Sequence, residues 1–236
     1  MKLILVSTLA IAPLMLAPLM AKDNGSVKRL DAASAVFSEV MATPDKGIPQ
    51  DLLDNARCIV IVPSLKTAAF VFGGKYGKGF VSCRNKSGFG WGAPASVRIE
   101  GGSFGFQIGG SETDVIMLVM NQGGEARLLS DKFTLGGEAS IAAGPVGRTT
   151  TAQTDAEMHA EILSWSRSQG LFAGIALEGA TLRQDVDDNA ELYGRKLDNK
   201  QILTTPTRVP KAAAKLIGQF NKCSGHEHAS STASNR

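Results

Sequence analysis

The chain has 236 residues, of which 43% are hydrophobic and 20% charged, and its formal net charge at pH 7 is +3. This length fits a single domain with one substantial core. So small a net charge gives no indication of a nucleic-acid partner. The three cysteines and three histidines form no Cys-x-x-Cys motif and no Cys/His cluster, so the sequence predicts neither a metal site nor a cofactor.

Residues 1–21 read MKLILVSTLAIAPLMLAPLMA, with one basic residue, an apolar run and a small residue at the end. The pattern predicts a secretory signal peptide that is cleaved after Ala21. It therefore predicts an exported protein of a bacterial periplasm or cell envelope. The alternative is an N-terminal membrane anchor, which the two prolines in the run disfavour. Residues 22–26 are predicted to be a polar linker.

Residues 27–41 are predicted to form an amphipathic helix, because apolar side chains recur along one stripe that includes Leu30 and Phe37. Lys28 and Arg29 lie at the start of this helix. Two interpretations stay open at this point. Either this is a membrane helix that lies on a bilayer through these four residues, or its stripe packs on the protein core.

The middle of the chain is punctuated by glycine, and apolar residues alternate there with small ones, which predicts many short strands. The pairs Gly73-Gly74 and Gly101-Gly102 are predicted to form turns between strands. Short helices are predicted at residues 50–56, 188–193 and 212–220. The expected fold class is α+β, with a Gly-rich, strongly curved or barrel-like antiparallel sheet flanked by short helices at its N- and C-terminal ends.

Charge is distributed unevenly, because residues 55–99 contain no Asp or Glu. The cations of this segment are Arg57, Lys66, Lys75, Lys78, Arg84, Lys86 and Arg98. These seven positive charges exceed the formal net charge of +3, so the rest of the chain carries a net negative charge. Such a segment predicts contact with an anionic surface. The alternative is that these residues lie on solvated outer faces of strands, where lysine also protects sheet edges.

Two cysteines, Cys58 and Cys83, fall on predicted strands that could pair with each other. A disulfide between them is one interpretation. The other is that they are two buried thiols that act as small hydrophobic side chains.

Three catalytic or binding motifs fail when their structural requirements are applied. Gly101, Ser103 and Gly105 match G-x-S-x-G, but strand-like residues follow where a nucleophile elbow needs a helix. The segment FGGKYGKGF lacks the Ser or Thr of a phosphate-binding loop and predicts a basic hairpin tip instead. The acids from Asp185 onward lack the glycine and the final glutamate of a calcium loop. The sequence therefore predicts a protein that is not an enzyme.

Several stretches resemble the SYLF family of lipid-binding domains, which is related to regulators of yeast actin patches. They include IPQDLLDNARCIVIVPS, FGGKYGKGFVSCR, GWGAPASVRIEGGSFGFQIGG and DKFTLGGEASIAAGPVGR, in the order of the family. The resemblance implies a domain at residues 27–197. We expect a C-terminal extension with a short helix at residues 198–222, and a disordered tail at residues 223–236.

The resemblance also implies a function, namely non-enzymatic binding of anionic phospholipid through a basic surface. Relatives are described as using phosphoinositides, whereas phosphatidylglycerol or cardiolipin would be the ligand in a bacterial envelope. The predicted headgroup contacts are Lys75, Tyr76, Lys78, Arg84 and Lys86. The alternative is a protein-interaction or scaffold module. Relatives are described as binding actin, but the predicted export would separate this chain from actin and make a periplasmic partner the expectation.

Overall fold

The computed structural model describes residues 25–42, 47–87, 89–146, 159–168, 171–174 and 177–224. The predicted signal peptide, all of the predicted linker except its last two residues, and the predicted tail from residue 225 onward lie outside the described residues.

The described part of the chain contains helices, strands and one 3-10 turn. They are α1 (Gly25–Met41), α2 (Gln50–Asn55), β1 (Cys58–Cys83), β2 (Ala95–Val119), α3 (Gln122–Leu128), β3 (Lys132–Thr134), β4 (Ile141–Ala143), β5 (Ile162–Ser168), β6 (Leu171–Gly174), β7 (Thr181–Gln184), α4 (Val186–Tyr193), α5 (Asn199–Thr204), the 3-10 turn (Lys211–Ala213) and α6 (Ala214–Ser224). The predicted α+β class is confirmed: the sheet is open and strongly curled, and helices flank it at both ends.

The centre of the sheet is one long antiparallel hairpin made of β1 and β2. Its register runs from Cys58 opposite Val119 to Val81 opposite Ala95. The other edge of β2 pairs with β7 near its start and with β5 near its end. The strand order is β3-β7-β2-β5-β4, with β1 beside β2 and β6 beside β5. The pair β4–β5 is parallel and the other ladders are antiparallel.

The turns predicted at the two glycine pairs are wrong. Gly73 lies opposite Ser103 and Gly74 lies opposite Gly102, so both pairs fall inside the continuous β1–β2 ladder. Glycine in a strand interior marks a sharp bend or a close backbone approach as often as a chain reversal. Here the glycines lie where strands β1 and β2 curve while they stay paired. Lys75 is also paired, opposite Gly101, so it does not lie at a hairpin tip.

Strand β1 curls so far that its two ends meet. The structure joins Cys58 to Cys83 in a disulfide, although 25 positions separate them, and their Cα atoms lie 3.9 Å apart. One residue further out at each end, the amide of Arg84 donates a 2.9 Å hydrogen bond to the carbonyl of Arg57. The curl therefore brings the β1–β2 connection next to the start of the hairpin.

Alternate residues of β1 pack in two different cores, as the period of two in a strand requires. Cys58, Val60 and Val62 belong to a core made largely of sheet residues, which also includes Leu197 and Ile202 from the C-terminal part of the chain. Their neighbours Ile59 and Ile61 belong to a second core, which is shared with α1, α2 and α6. The sheet is thus buried on both faces at this point.

Helix α1 packs its apolar stripe on the second core. Leu30 and Phe37 are fully buried, and the ring of Phe37 meets that of Phe220 edge to face with 4.8 Å between centroids. Lys28 stays exposed, whereas Arg29 binds Asp188. This corrects the membrane-helix interpretation, because the protein itself covers the stripe that would face a bilayer. Among the described helices, none has the length and apolar character needed to span a membrane.

Candidate functional site

Lys78, a predicted headgroup contact, is held inside an ion-pair network. Its Nζ atom lies 2.9 Å from Asp185 Oδ2 and 2.9 Å from Asp188 Oδ1. Asp185 also caps α4, because its side chain accepts a hydrogen bond from the amide of Asp188. Arg29 binds the second carboxylate oxygen of Asp188. The network therefore ties α1 and β1 to the start of α4.

The protonation states of this network follow from the balance between burial and pairing. Burial alone would lower the pKa of Lys78, but hydrogen bonds and charge from Asp185 and Asp188 outweigh it and raise that pKa. Burial alone would raise the pKa of Asp185, but the hydrogen bond from Lys78 and further contacts outweigh it and lower that pKa. Pairing therefore favours the charged forms of both Lys78 and Asp185.

Arg84, another predicted headgroup contact, clamps two helix ends. Its guanidinium donates to the carbonyls of Ala56, Leu53 and Asp54 at 3.0, 3.2 and 2.9 Å. It also donates to the carbonyl and the hydroxyl of Ser224 at 3.0 and 2.6 Å. Carbonyls at a helix C-terminus lack partners within the helix, and a charged donor satisfies them strongly. The same guanidinium lies over the Trp91 ring, 4.4 Å from its centroid.

The predicted headgroup set is thus divided by the structure. Lys78 and Arg84 are engaged within the protein, whereas Lys86 is exposed in the β1–β2 connection. Tyr76 is 48% exposed, and its neighbour Lys75 is half-buried. The headgroup role of Lys75, Tyr76 and Lys86 stays a prediction.

The basic segment at residues 55–99 is largely neutralised in other ways as well. Arg57 Nε lies 2.5 Å from Glu125 Oε2, and Arg98 Nε lies 2.6 Å from Glu100 Oε1. Lys66 is exposed and lies opposite Glu112 in the β1–β2 register. The charge count of this segment therefore overstates the positive charge that it presents to a partner.

Sequence reasoning missed a second basic surface, in the C-terminal part of the chain. Residues 195–222 contain one acid, Asp198, and seven cations, all of them exposed. We call these seven the C-terminal basic surface: Arg195, Lys196, Lys200, Arg208, Lys211, Lys215 and Lys222. None of the seven forms an ion pair with a described residue. A segment-by-segment charge count carried to the end of the chain would have detected this surface.

A cleft of about 300 Å³ lies beside this surface, between the β1–β2 connection and residues 202–207. Its lining combines apolar residues with hydroxyls, among them Ala93, Ile202, Leu203, Ser87 and Thr207. Lys86 contributes a cation to the lining. Asn221 of α6 holds the connection nearby, because its Oδ1 atom accepts a 2.9 Å hydrogen bond from the amide of Trp91.

The structure can be compared with two kinds of site considered in the sequence, a metal site and a nucleophile elbow at Ser103. Among the described residues, no group of three or more His, Cys, Asp or Glu side chains is placed to hold a metal ion. Ser103 lies within β2, which continues as a strand to Val119. The helix that a nucleophile elbow requires therefore does not follow this serine.

Comparison with known proteins identifies the family. Residues 100–223 match the family model described as Ysc84, Las17-binding protein actin regulator. The chain is 34% identical over 177 residues to the protein YSC84 of Saccharomyces cerevisiae, which is 73% of this chain and 37% of that protein. It is 33% identical over 183 residues to the human SH3 domain-containing YSC84-like protein 1, which is 76% of this chain and 53% of that protein.

A further relative is an SH3 domain-containing protein of Schizosaccharomyces pombe. It is 38% identical over 179 residues, which is 74% of this chain and 41% of the relative. The chain belongs to the Ysc84, or SYLF, domain family, as the resemblance predicted. It spans about two fifths to half of the length of these relatives.

The predicted location in a bacterial periplasm or cell envelope is wrong. These relatives come from two yeasts and from human, and the family description names an actin regulator. The prediction depended on the basic residue, the apolar run and the final small residue of residues 1–21, which lie outside the residues that match the family model. The expectations of phosphatidylglycerol or cardiolipin as ligand and of a periplasmic partner depended on this location and are withdrawn with it.

Proposed function

We propose that this chain is a non-enzymatic protein-interaction module that binds a protein of the actin cytoskeleton. The observation that carries the proposal is the extent of the family match, which runs from β2 to α6. The matched part comprises most of β2, the shorter strands and the C-terminal helices, and the alignments of 177 and 183 residues with the yeast and human relatives extend beyond it. The names of the relatives report Las17 binding for proteins built on this domain.

The sequence analysis argued against an actin partner because it predicted export of the chain. That argument no longer applies, because the predicted location is wrong. Predicted export was the reason to separate this chain from actin, and the yeast and human relatives contradict that export. The alternative that the sequence left open, a protein-interaction module, is therefore favoured over phospholipid binding as the first function.

The described groups with shifted pKa values support a binding role over a catalytic one. Lys78 and Asp185 hold each other in the ion-pair network. Burial raises the pKa of Tyr193, whose hydroxyl donates a 2.6 Å hydrogen bond to the carbonyl of Pro94. Burial likewise raises the pKa of the Cys223 thiol on α6. Perturbed groups in enzymes usually converge on a cleft, whereas Lys78, Asp185 and Tyr193 secure contacts between elements.

The test is binding of the purified full chain to two purified proteins, actin filaments and Las17. Filaments are mixed with the chain and sedimented, and Las17 is immobilised for capture of the chain from solution. We expect saturable binding to at least one of the two. A chain that stays in the supernatant at every filament concentration, and that Las17 does not capture, would overturn the proposal.

A second candidate function is binding of anionic phospholipid, which one exposed feature favours. Tyr76 exposes 48% of its surface beside Lys75, and an aromatic ring next to a cation suits the interface of a bilayer. The test is sedimentation with vesicles that contain or lack a phosphoinositide. We expect binding that falls in a Lys75→Ser/Tyr76→Ser variant and persists in the control variant Lys66→Ser. Equal binding to both kinds of vesicle would reject this candidate.

A further inference from the structure

We propose that the C-terminal basic surface and the adjoining cleft receive an acidic segment of a protein partner, with an apolar side chain of that segment in the cleft. This inference rests on the proposed function and deepens it, because it names the place and the chemistry of the contact.

The C-terminal basic surface is electrostatically complementary to an acidic partner. The seven cations of the surface have no ion-pair partner among the described residues, whereas Lys78, Arg57 and Arg98 of the earlier basic segment are paired. The one acid in this stretch, Asp198, caps α5, because its carboxylate accepts a 2.6 Å hydrogen bond from the amide of Gln201. The surface therefore presents a strong positive field, which favours an acidic partner.

The fold holds three of the cations in a fixed arrangement. Lys211, Lys215 and Lys222 are four and seven residues apart, so they follow one side of the 3-10 turn and α6. The opposite side is buried through Leu216 and Phe220. The end of α6 is clamped by Arg84, and a surface that is rigid before binding loses less entropy when a partner docks.

The cleft favours a peptide over a membrane as the partner. Its volume of about 300 Å³ is at the lower end for ligand pockets and suits side chains of a peptide. Lys86 belongs to the lining, and Lys200 and Arg208 flank residues 202–207 in the chain. Aliphatic lining residues such as Ile202 and Leu203 suit an apolar side chain better than a lipid headgroup, which needs polar donors.

The experiment uses a fluorescein-labelled peptide of twelve residues with one central leucine between glutamates, titrated with the full chain and followed by anisotropy. The variant Lys86→Gln/Lys200→Gln/Arg208→Gln removes the charge next to the cleft. The matched control Lys28→Gln/Lys66→Gln/Lys132→Gln removes the same charge from exposed positions elsewhere. All six side chains are exposed or lie at the cleft rim, and thermal unfolding verifies that both variants fold.

We expect the wild-type chain to bind the peptide and the affinity to fall as salt is raised. The cleft variant should bind about tenfold more weakly, which corresponds to about 1.4 kcal/mol, because it lacks three exposed charges next to the cleft. The control variant should change the dissociation constant less than about twofold. Replacement of the central leucine by serine should also weaken binding, because the apolar cleft would lose its occupant.

Three outcomes would overturn the inference. The first is that the wild-type chain does not bind the peptide, or that both charge variants lose the same affinity. The second is that phosphoinositide vesicles, but not the peptide, bind in a way that needs Lys86, Lys200 and Arg208. The third is that actin filaments or Las17 bind the cleft variant as tightly as the wild-type chain, which would leave the proposed function intact. Peptide binding without filament or Las17 binding would support this inference and reject the proposed function.

Discussion

Gly79 crosses Ile61 so closely that a Cβ atom on Gly79 would lie 2.0 Å from the carbonyl oxygen of Ile61. Both residues belong to β1, so one half of this strand passes over the other half of the same strand. No side chain fits at that crossing, because the obstacle is backbone and cannot rotate away. The absence of a side chain at Gly79 is therefore a condition for the curl of the sheet.

The first prediction follows from this crossing. The substitution Gly79→Ala should lower the free energy of unfolding by more than about 3 kcal/mol, because the curl must open to admit the methyl group. The matched control is Gly74→Ala, where an added Cβ would meet only Gly101 O at 3.9 Å. Urea unfolding measures both. Similar stability of the two variants would show that the strand does not cross itself as described.

The second prediction concerns the guanidinium clamp at the helix ends. Arg84→Gln should cost about 3 kcal/mol, because the carbonyls of Asp54 and Ala56 lose their guanidinium donor, while Ser224 O keeps the hydrogen bond from Trp91 Nε1. Lys86→Gln, two residues further on and exposed, should change stability by less than about 0.5 kcal/mol. Chemical denaturation of the two variants provides the comparison. If Arg84→Gln were as stable as Lys86→Gln, the clamp would contribute nothing to the fold.

The third prediction is the pH dependence of stability, which follows from the Lys78–Asp185 pair. Pairing lowers the pKa of Asp185 below its ordinary value of 3.8, so its contribution is present above that pH and is lost as the pH falls through the lowered value. Pairing raises the pKa of Lys78 above 10.5, so its contribution is present below that pH and is lost as the pH rises through the raised value.

The measurement is urea unfolding of the wild-type chain and of Lys78→Gln across the acidic range. At neutral pH the variant should be less stable by about 3 kcal/mol, because Asp185 keeps its burial but loses its closest cation. The difference should shrink as the pH falls through the lowered pKa of Asp185, because below that value Asp185 binds a proton in both proteins. The control Lys66→Gln should follow the wild-type curve. A constant difference between wild type and Lys78→Gln at all pH values would contradict the pairing.

The fourth prediction concerns the cysteines. Under denaturing, non-reducing conditions one thiol should react with a thiol reagent, that of Cys223, because Cys58 and Cys83 are joined. Reduction should lower the free energy of unfolding by about 3.5 kcal/mol, as the loop-entropy model gives for a loop of this length. The variant Cys223→Ala serves as control, and reduction should lower its free energy of unfolding by the same amount as in the wild type. Three reactive thiols before reduction would contradict the disulfide.

The sequence was sufficient for the elements whose signal is local. The amphipathic stripe of α1 predicts a helix and its buried face, since Leu30 and Phe37 repeat at helical spacing. The turns predicted at the glycine pairs are wrong because glycine is favoured both in turns and where two backbone segments approach closely. Only the long-range register, which places Gly74 opposite Gly102, separates the two cases.

The candidate site was harder to predict for the same reason. Lys78, Arg84 and Lys86 look alike in the sequence, as cations in a segment without acids. Their surroundings differ because of residues far along the chain, such as Asp188, which is 110 positions from Lys78, and Ser224, which is 140 positions from Arg84. Which cations reach solvent is therefore set by the curl of the sheet and by the docking of the C-terminal helices.

The central claim is that the folded domain itself binds a protein of the actin cytoskeleton. The most direct measurement is sedimentation of the full chain with actin filaments, for the wild type and for the two glycine variants. We expect saturable binding of the wild type and of Gly74→Ala, and loss of binding by Gly79→Ala at a temperature at which that variant is unfolded. Absence of wild-type binding, or equal binding by unfolded Gly79→Ala, would contradict it.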